Sequence, residues 1–225
     1  MTADDRARAL AAQAHAASGC ELCGLAASRT QVVYGSGDPD AELMLVGEAP
    51  AFLEDRDGAP LAGQAGELLE RLLAGIGLAR DAVYVANVLK CRPPSNRDPL
   101  PEEVAACEPH LFRQVELVQP RVVATLGNYA TRLLSGRPHG ITRVHGQEQE
   151  VSVGSRQVTL FPLYHPAAAL YTPTMLRVLE EDVARLGVLL RRDPAERVIP
   201  SGPDDATGEL VAARPVGDPV QLGLF

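Results

Sequence analysis

Short apolar runs and amphipathic stretches alternate along most of this chain. Three short stretches, at residues 43–46, 82–89 and 121–126, are mostly apolar, which is typical of strands buried on both faces. Apolar residues at helical spacing occur in residues 67–76 and along one face of residues 174–192. The alternation of such strands with helices predicts the α/β class, with a parallel sheet between two layers of helices.

Weaker patterns predict further elements. Residues 4–17 are rich in alanine and favour a helix. A helix that opens at Pro101 meets a second proline, Pro109, which is expected to kink or divide it. Residues 151–153 and 157–163 predict a hairpin, and its second strand ends just before a Tyr-His-Pro segment.

The longest connection, residues 47–66, joins the first predicted strand to the helix after it. Its sequence is GEAPAFLEDRDGAPLAGQAG, with four glycines and four acidic residues. Connections of this kind are usually about 2–6 residues long, so the extra length and charge indicate a function. Open α/β sheets bind ligands at the carboxyl ends of their strands, and this loop lies at such an end. The sequence therefore predicts a ligand site here rather than an inert connector.

Composition excludes some classes of protein and leaves others open. The chain has 225 residues, of which 46% are hydrophobic, enough for a large domain with a proper core. No apolar run reaches the ~18 residues of a membrane span, and the first residues lack the apolar region of a secretory signal, so a cytoplasmic protein is expected.

The net charge of −8 disfavours a nucleic-acid partner only weakly, because local basic patches decide phosphate contact. Two clusters of basic residues are present, one of Lys90, Arg92 and Arg97 and the other of Arg132, Arg137, His139, Arg143 and His145. Charge alone therefore leaves DNA binding open.

Four cysteines predict a metal site. Cys20 and Cys23 form a C-x2-C pair, and Cys91 and Cys107 follow far downstream. In a reducing compartment such a set indicates metal ligation rather than disulfides. Four thiolates suit either a [4Fe–4S] cluster or a structural zinc ion. Either would pin the N-terminal segment to the body of the fold.

Five ordered motifs give the chain a specific resemblance. They are the C-x2-C pair, GEAP followed by ED and P-x-x-G-x-A-G, N-V-x-K-C-R-P-P-x-N-R, the fourth cysteine, and an HPA segment. Over residues 13–192 the chain resembles the family 4 uracil-DNA glycosylases, the iron–sulphur type of bacteria and archaea. The resemblance implies a three-layer α/β/α sandwich around a central four-stranded parallel sheet and a [4Fe–4S] cluster on all four cysteines. It also implies hydrolysis of the bond between uracil and deoxyribose in DNA, leaving an abasic site.

The resemblance also assigns roles to residues at the strand ends. Asn87 would read the edge of a flipped uracil, since its amide offers both a donor and an acceptor. His165 would donate a hydrogen bond to uracil O2 as negative charge develops there. Glu48 and the backbone of Ala49 would position the attacking water. Glu54 would line the pocket and help to exclude the thymine methyl group, although a carboxylate here also suits a solvated loop charge or a helix cap.

Two positions depart from the pattern of the family. Ala51 replaces the glycine of GEAPG, and Leu61 with Ala62 replaces the Phe-Val of PFVG, whose ring stacks on uracil. The loss of base–aromatic stacking costs about 1–3 kcal/mol, but leucine still offers dispersion contact, so we expect a weaker or broader enzyme. Phe52 is a candidate for a substitute ring. Residues 96–100 lack the histidine insert of the covalently DNA-trapping relatives, so turnover is expected.

Contacts with the DNA backbone are expected from loops on the same side of the sheet. Either Leu170 or Tyr171, just beyond the HPA segment, would wedge into the gap that the flipped base leaves. The candidates for phosphate contact are Lys90, Arg92, Arg97 and Arg143.

The C-terminal residues have a different character. Residues 1–193 are predicted to form the glycosylase-like domain, and residues 194–225 an acidic, disordered tail that is poor in large apolar groups. The tail ends in QLGLF, which resembles the peptide that docks bacterial polymerases and repair enzymes on the sliding clamp. The resemblance implies clamp contacts by Gln221, Leu222, Leu224 and Phe225, whereas the alternative is packing of these residues on the parent domain. A nucleoid-associated monomer is expected.

Two other functions fit parts of the sequence. Ala51 and Leu61 are also compatible with a non-catalytic DNA-damage-binding module on a decayed glycosylase scaffold. Binding by such a module would be indifferent to His165→Ala. The cysteines alone are compatible with a zinc-dependent α/β hydrolase unrelated to DNA, which would be colourless, whereas an iron–sulphur protein is brown.

Overall fold

Six strands form one sheet within residues 1–192, the part of the chain that this computed structural model describes. The strands are β1 (Ser36–Gly37), β2 (Leu43–Gly47), β3 (Tyr84–Asn87), β4 (Val122–Leu126), β5 (Gln149–Val153) and β6 (Arg156–Leu163). Their order in the sheet is β1-β3-β2-β4-β6-β5. The four central strands are parallel, as predicted, but β1 and β5 pair antiparallel with β3 and β6 at the two edges. The sheet as a whole is therefore mixed and wider than the resemblance implied.

Helices cover both faces of the sheet, which confirms the three-layer α/β/α architecture. The α-helices of residues 1–192 are α1 (Ala3–Ser18), α2 (Phe52–Asp57), α3 (Gln64–Gly75), α4 (Pro101–Val118), α5 (Asn128–Ser135), α6 (Ile141–Val144), α7 (Pro166–Ala169) and α8 (Pro173–Arg191). One core contains apolar side chains of α1 and α4, and the other contains those of α3 and α8.

The central strand β2 shows how the sequence separates these two cores. Met44 and Val46 pack with the residues of α1 and α4, whereas Leu43 and Leu45 pack with those of α3 and α8. Successive side chains of a strand point to opposite faces, so a strand between two helical layers must be apolar at every position. This is why the uninterrupted apolar runs predicted parallel strands correctly.

Of the two outcomes expected at Pro109, a kink or a division of the helix, division is wrong. Helix α4 continues through Pro109 from Pro101 to Val118. A proline inside a helix removes one backbone hydrogen bond and strains the preceding turn. Leu111 and Val115, in the next two turns, are fully buried against the sheet, and this packing holds the helix together across the missing bond.

Two further predictions concern a membrane span and the C-terminal tail. No helix within residues 1–192 is long and apolar enough to cross a membrane. The predicted tail, residues 194–225, and its terminal QLGLF lie outside the described residues.

Candidate functional site

The carboxyl ends of β3 and β2 bring Asn87 and Glu48 side by side. Gly47 pairs with Asn87 in the parallel register, and Glu48 follows directly. A Cβ at position 47 would lie 2.2 Å from Oδ1 of Asn87, closer than any side chain tolerates. The first glycine of the long loop therefore lets the carboxamide of Asn87 lie against the end of β2.

Glu54 holds the long loop in shape. Its carboxylate accepts hydrogen bonds from the backbone N–H of Ala51 at 2.7 Å and of Leu61 at 2.6 Å. It also accepts a longer bond of 3.5 Å from Nδ2 of Asn87. The side chain is buried, so the alternative of a solvated loop charge is wrong. The bond to Ala51 caps α2, the bond to Leu61 joins two parts of the loop, and the bond to Asn87 ties the loop to the end of β3.

Leu61 adopts a left-handed backbone conformation, with φ of 57°, which costs a non-glycine residue about 1–3 kcal/mol. The hydrogen bond from its N–H to Glu54 stabilises this conformation. Its side chain is buried in the core that contains α3. A Cβ on Gly66 would lie 1.8 Å from the Leu61 carbonyl oxygen, so the close approach of α3 to the loop requires glycine there.

Phe52, the candidate for a substitute ring, lies at the surface. Its side chain is 58% exposed. The guanidinium carbon of Arg92 lies 5.3 Å from the centre of its ring, within the range of a cation–π contact. Phe52 and Arg92 therefore form an exposed pair beside the long loop.

The carboxylate of Glu48 is partly buried and, among residues 1–192, receives no hydrogen bond. Burial raises its pKa, and the nearby charge of Asp98 raises it further. Tyr129 lies near the same group: burial, and then the charge of Glu48, raise the pKa of Tyr129 to about 12. A raised pKa makes a carboxylate a better base. Glu48 is therefore suited to accept a proton from water.

His165 follows β6 and caps the short helix α7. Its Nδ1 accepts a hydrogen bond of 3.1 Å from the backbone N–H of Ala167. Because an amide N–H can only donate, Nδ1 carries no hydrogen, and the neutral ring must carry its hydrogen on Nε2. Burial lowers the pKa of His165 to about 4. At neutral pH the imidazole is thus an uncharged donor through Nε2.

The four cysteines come from three segments and line one cavity. Cys20 and Cys23 follow α1, Cys91 follows β3, and Cys107 lies in α4. Burial raises the pKa of Cys91 to about 11 and also raises that of Cys107. No three His, Cys, Asp or Glu side chains of the described chain come together closely enough to hold a single metal ion.

Two N–H groups point at the sulphur atoms of this cavity. A guanidinium nitrogen of Arg29 lies 3.6 Å from Sγ of Cys91, and the backbone nitrogen of Lys90 lies 3.2 Å from Sγ of Cys107. Such N–H groups stabilise the sulphur ligands of iron–sulphur clusters. The residues present therefore fit a group held by four thiolates.

Burial contradicts one of the expected phosphate contacts, and an ion pair within the protein engages a second. Lys90 is 2% exposed, and its Nζ donates to the backbone oxygen of Asn87 at 2.6 Å and to Oε1 of Gln114 at 2.5 Å. Arg97 donates to both carboxylate oxygens of Glu103, at 2.5 and 2.9 Å. The first cation is inside the protein, and the second is already neutralised at the start of α4.

The remaining predicted DNA contacts lie at the surface, with one exception. Arg143 on α6 is exposed, and Arg92 is partly exposed beside Phe52. Leu170 is partly buried against the core of α3 and α8, whereas Tyr171 is 83% exposed. Of the two predicted wedge residues, Tyr171 is thus the accessible one.

Sequence reasoning missed the roles of Asp55 and Gln114. The buried carboxylate of Asp55 accepts the backbone N–H of Thr30 at 2.9 and 3.0 Å, which ties the segment after the C-x2-C pair to α2. Gln114 is fully buried and connects Lys90 to the backbone oxygen of Tyr34. The ED pair of the loop was a visible signal for Asp55. Nothing in the local pattern marks Gln114.

Comparisons with known proteins agree with this arrangement. A model of the Uracil DNA glycosylase superfamily matches residues 34–186. The chain is 43% identical over 172 residues to the Type-4 uracil-DNA glycosylase of Sulfurisphaera tokodaii, covering 74% of this chain and 78% of the relative.

Two further type-4 enzymes match over a similar length. Identity to the Type-4 uracil-DNA glycosylase of Archaeoglobus fulgidus is 44% over 174 residues, covering 76% of this chain and 87% of the relative. Identity to that of Thermotoga maritima is 37% over 177 residues, covering 77% and 91%. The residues that the family model matches include Glu48, Asn87 and His165. The chain therefore belongs to the uracil DNA glycosylase superfamily, in its type-4 branch.

Proposed function

We propose that this chain is a monofunctional uracil-DNA glycosylase, which hydrolyses the N-glycosidic bond of uracil in DNA and leaves an abasic site for base excision repair. One observation carries this most directly. The same sheet edge presents Glu48, a carboxylate with a raised pKa that accepts no hydrogen bond from residues 1–192, and His165, a neutral imidazole with its donor on Nε2. These are the groups needed to activate water and to stabilise a departing uracil anion.

Asn87 is the proposed reader of the base. Its Nδ2 donates one hydrogen towards Glu54, which sets the orientation of the amide. The second N–H of the amide is then free to donate to uracil O4, and Oδ1 to accept from uracil N3–H. Cytosine presents a donor and an acceptor in the reverse order, so this orientation disfavours it.

The walls of the base pocket carry the departures from the family pattern. We assign Leu61 as an aliphatic wall beside the base, with Ala51 at the turn of the loop. Glu54, which binds the backbone of both residues, fixes their positions. Selectivity then depends more on hydrogen bonds to Asn87 than on stacking.

The proposed reaction uses groups of this chain alone. Glu48 accepts a proton from a water molecule, which the backbone of Ala49 helps to position. The water oxygen bonds to C1′ of the deoxyribose while the C1′–N1 bond breaks. The electron pair of the C1′–N1 bond leaves with uracil. His165 donates from Nε2 to O2 of the uracil anion, an interaction that strengthens only as charge develops.

The four cysteines are proposed to hold a [4Fe–4S] cluster. When bound, the cluster would supply a rigid cross-link between the N-terminal segment, the end of β3 and α4. No step of the hydrolysis uses it. The N–H groups of Arg29 and Lys90 that point at Cys91 and Cys107 support this assignment.

DNA is proposed to lie across the same edge of the sheet. Arg92 and Arg143 are the candidates for phosphate contact, since both are accessible. Tyr171 replaces Leu170 as the proposed wedge because of its exposure. In addition, the sequence of residues 221–225 supports docking on a bacterial sliding clamp.

Incubation with uracil-containing oligonucleotides tests the function. Alkaline cleavage of abasic sites should reveal product from U·G, U·A or single-stranded substrate, and His165→Ala should lose most of the rate. No product from any of the three would contradict the proposal. DNA binding that is indifferent to His165→Ala, without product, would instead favour the non-catalytic module. Borohydride should trap no protein–DNA cross-link, since the buried Lys90 is not available for Schiff-base chemistry.

A further inference from the structure

The chain contains a single lysine, Lys90, against 20 arginines. Surface cations exchange between lysine and arginine at little cost, and here arginine fills every other basic position. Lys90 differs from these positions in being almost completely buried, with 2% of its surface exposed. A buried ammonium group is costly unless its hydrogen bonds are satisfied. Its contacts therefore indicate what it does.

Lys90 makes contacts both in the cysteine site and at the end of β3. Its Nζ donates a hydrogen bond of 2.6 Å to the backbone oxygen of Asn87 and one of 2.5 Å to Oε1 of Gln114. Its backbone N–H points at Sγ of Cys107, and Cys91 is the next residue. The side chain thus turns back from the cysteine site to the last residue of β3.

Gln114 fixes the far side of this arrangement. Its Nε2 donates to the backbone oxygen of Tyr34 at 2.7 Å and to the hydroxyl of Tyr84 at 3.2 Å. The Oε1 atom must then face Lys90. The Nζ atom also lies 5.7 Å from the centre of the Tyr34 ring. A compact ammonium fits between these groups, whereas the planar guanidinium of arginine is larger and needs a wider fork of acceptors.

We infer that Lys90 is a positioning residue for uracil recognition: it holds the backbone of Asn87, and through it the carboxamide that reads the base. The inference rests on the proposed role of Asn87. The hydrogen bond from Nζ acts on the backbone of the residue whose side chain must meet two atoms of the base. Lys90 itself does not touch substrate.

Lys90→Met tests the inference, because methionine keeps an unbranched apolar stem and removes the donor. The inhibition constant for free uracil should rise about tenfold to hundredfold, and kcat/KM on a single-stranded uracil oligonucleotide should fall by a similar factor. Affinity for a duplex with an abasic site should stay unchanged, since that duplex offers Asn87 no base. Iron content, measured on the same sample, separates this effect from damage to the cysteine site.

A double substitution tests whether Lys90 acts through Asn87. In an Asn87→Ala background, Lys90→Met should cause no further loss of kcat/KM, because the group that it positions is already absent. An equal loss in both backgrounds would overturn the inference. This result differs from failure of the proposed function, in which the wild-type protein would release no uracil.

Gln114→Leu gives a second variant that leaves the cysteines and their neighbours in sequence untouched. It removes one anchor of Lys90 and should raise the uracil inhibition constant by a smaller factor, at unchanged abasic-site affinity. Arg113→Met is the matched control on the same helix, since Arg113 pairs only with the surface residue Glu116 among the described residues; it should match the wild type. If Lys90→Met loses iron, Gln114→Leu decides: a wild-type inhibition constant in that variant overturns the inference.

Discussion

Glu48 illustrates how the surroundings of a single residue shift its pKa. It is partly buried, Asp98 lies nearby, and no group of residues 1–192 donates to its carboxylate. Burial and a neighbouring negative charge both disfavour the ionised form. Its pKa is therefore raised, which brings the carboxylate closer to the proton affinity that a base needs.

The pH dependence of the rate tests this residue. A carboxylate must be ionised to accept a proton from water, so kcat/KM should fall as pH decreases through the pKa of Glu48. Because that pKa is raised, the fall should begin at a higher pH than an ordinary glutamate, near 4.3, would give. Glu48→Gln should lower the rate strongly and remove this acid limb. If kcat/KM of Glu48→Gln falls at low pH as in the wild type, another group is responsible for that fall.

The lowered pKa of His165 predicts that the stability of the fold depends on pH. Its pKa in the folded protein is lowered to about 4, whereas an unfolded histidine titrates near 6.5. Between these values the unfolded chain binds a proton that the folded chain does not, so stability is lost as pH falls from about 6.5 to about 4. Denaturant unfolding at several pH values should show a smaller loss in His165→Asn, by about 1–3 kcal/mol. Equal losses of stability in the two proteins would contradict an imidazole that stays neutral in the folded protein.

At the scale of elements, helix α2 connects the candidate base pocket to the segment after the C-x2-C pair. Its Glu54 binds the loop and Asn87, while its Asp55 binds the backbone N–H of Thr30, in the segment after the C-x2-C pair. A six-residue helix is too short to be stable alone. Its position therefore depends on these two buried carboxylates, which face opposite partners.

Substitution of Asp55 tests that connection. Asp55→Ala leaves the N–H of Thr30 without its partner, which should cost about 1–3 kcal/mol and lower the melting temperature by several degrees. Release of iron to a chelator should also become faster, because the segment that carries Cys20 and Cys23 loses its anchor. The control is Asp57→Ala on the same helix, which removes only a surface pair with Arg56 and should stay within about 0.5 kcal/mol of the wild type.

At the scale of the whole molecule, the cysteine site joins distant parts of the chain. Cys20 and Cys107 lie far apart in sequence, yet both line one cavity. A cross-link between such distant segments restricts the unfolded chain strongly. Occupation of this site should therefore stabilise the entire domain rather than one element.

Cys107→Ser should remove most of the bound iron and the brown colour, and should lower the melting temperature. Analysis of the wild-type protein should find iron and acid-labile sulphide in equal amounts, as a [4Fe–4S] cluster requires. Zinc without sulphide would contradict the cluster. Arg113→Met again serves as a control, since it should leave both the metal content and the melting temperature unchanged.

The terminal pentapeptide predicts a partner for the molecule. A flexible connection would raise the concentration of the enzyme near a clamp without affecting its chemistry. Deletion of residues 221–225 should abolish retention on immobilised sliding clamp and leave glycosylase activity on short oligonucleotides unchanged. Equal retention with and without the pentapeptide would end the hypothesis.

The sequence by itself determined the layered fold and the strand ends at which the site lies. Met44 and Leu45 are apolar in succession, and only a strand covered on both faces requires this. Glu48, Asn87 and His165 each follow such a run, and parallel strands end at the same edge of a sheet. Pattern and motif spacing were sufficient here because both depend on residues close together in the chain.

Only the tertiary structure decided which polar side chains face the solvent. Lys90 and Arg97 were both expected at phosphates, but packing of α4 against β3 encloses the first, and Glu103 neutralises the second. The partial burial of Leu170 likewise depends on α3 and α8, which lie elsewhere in the sequence. Burial is a property of contacts between distant segments, so local periodicity does not contain it.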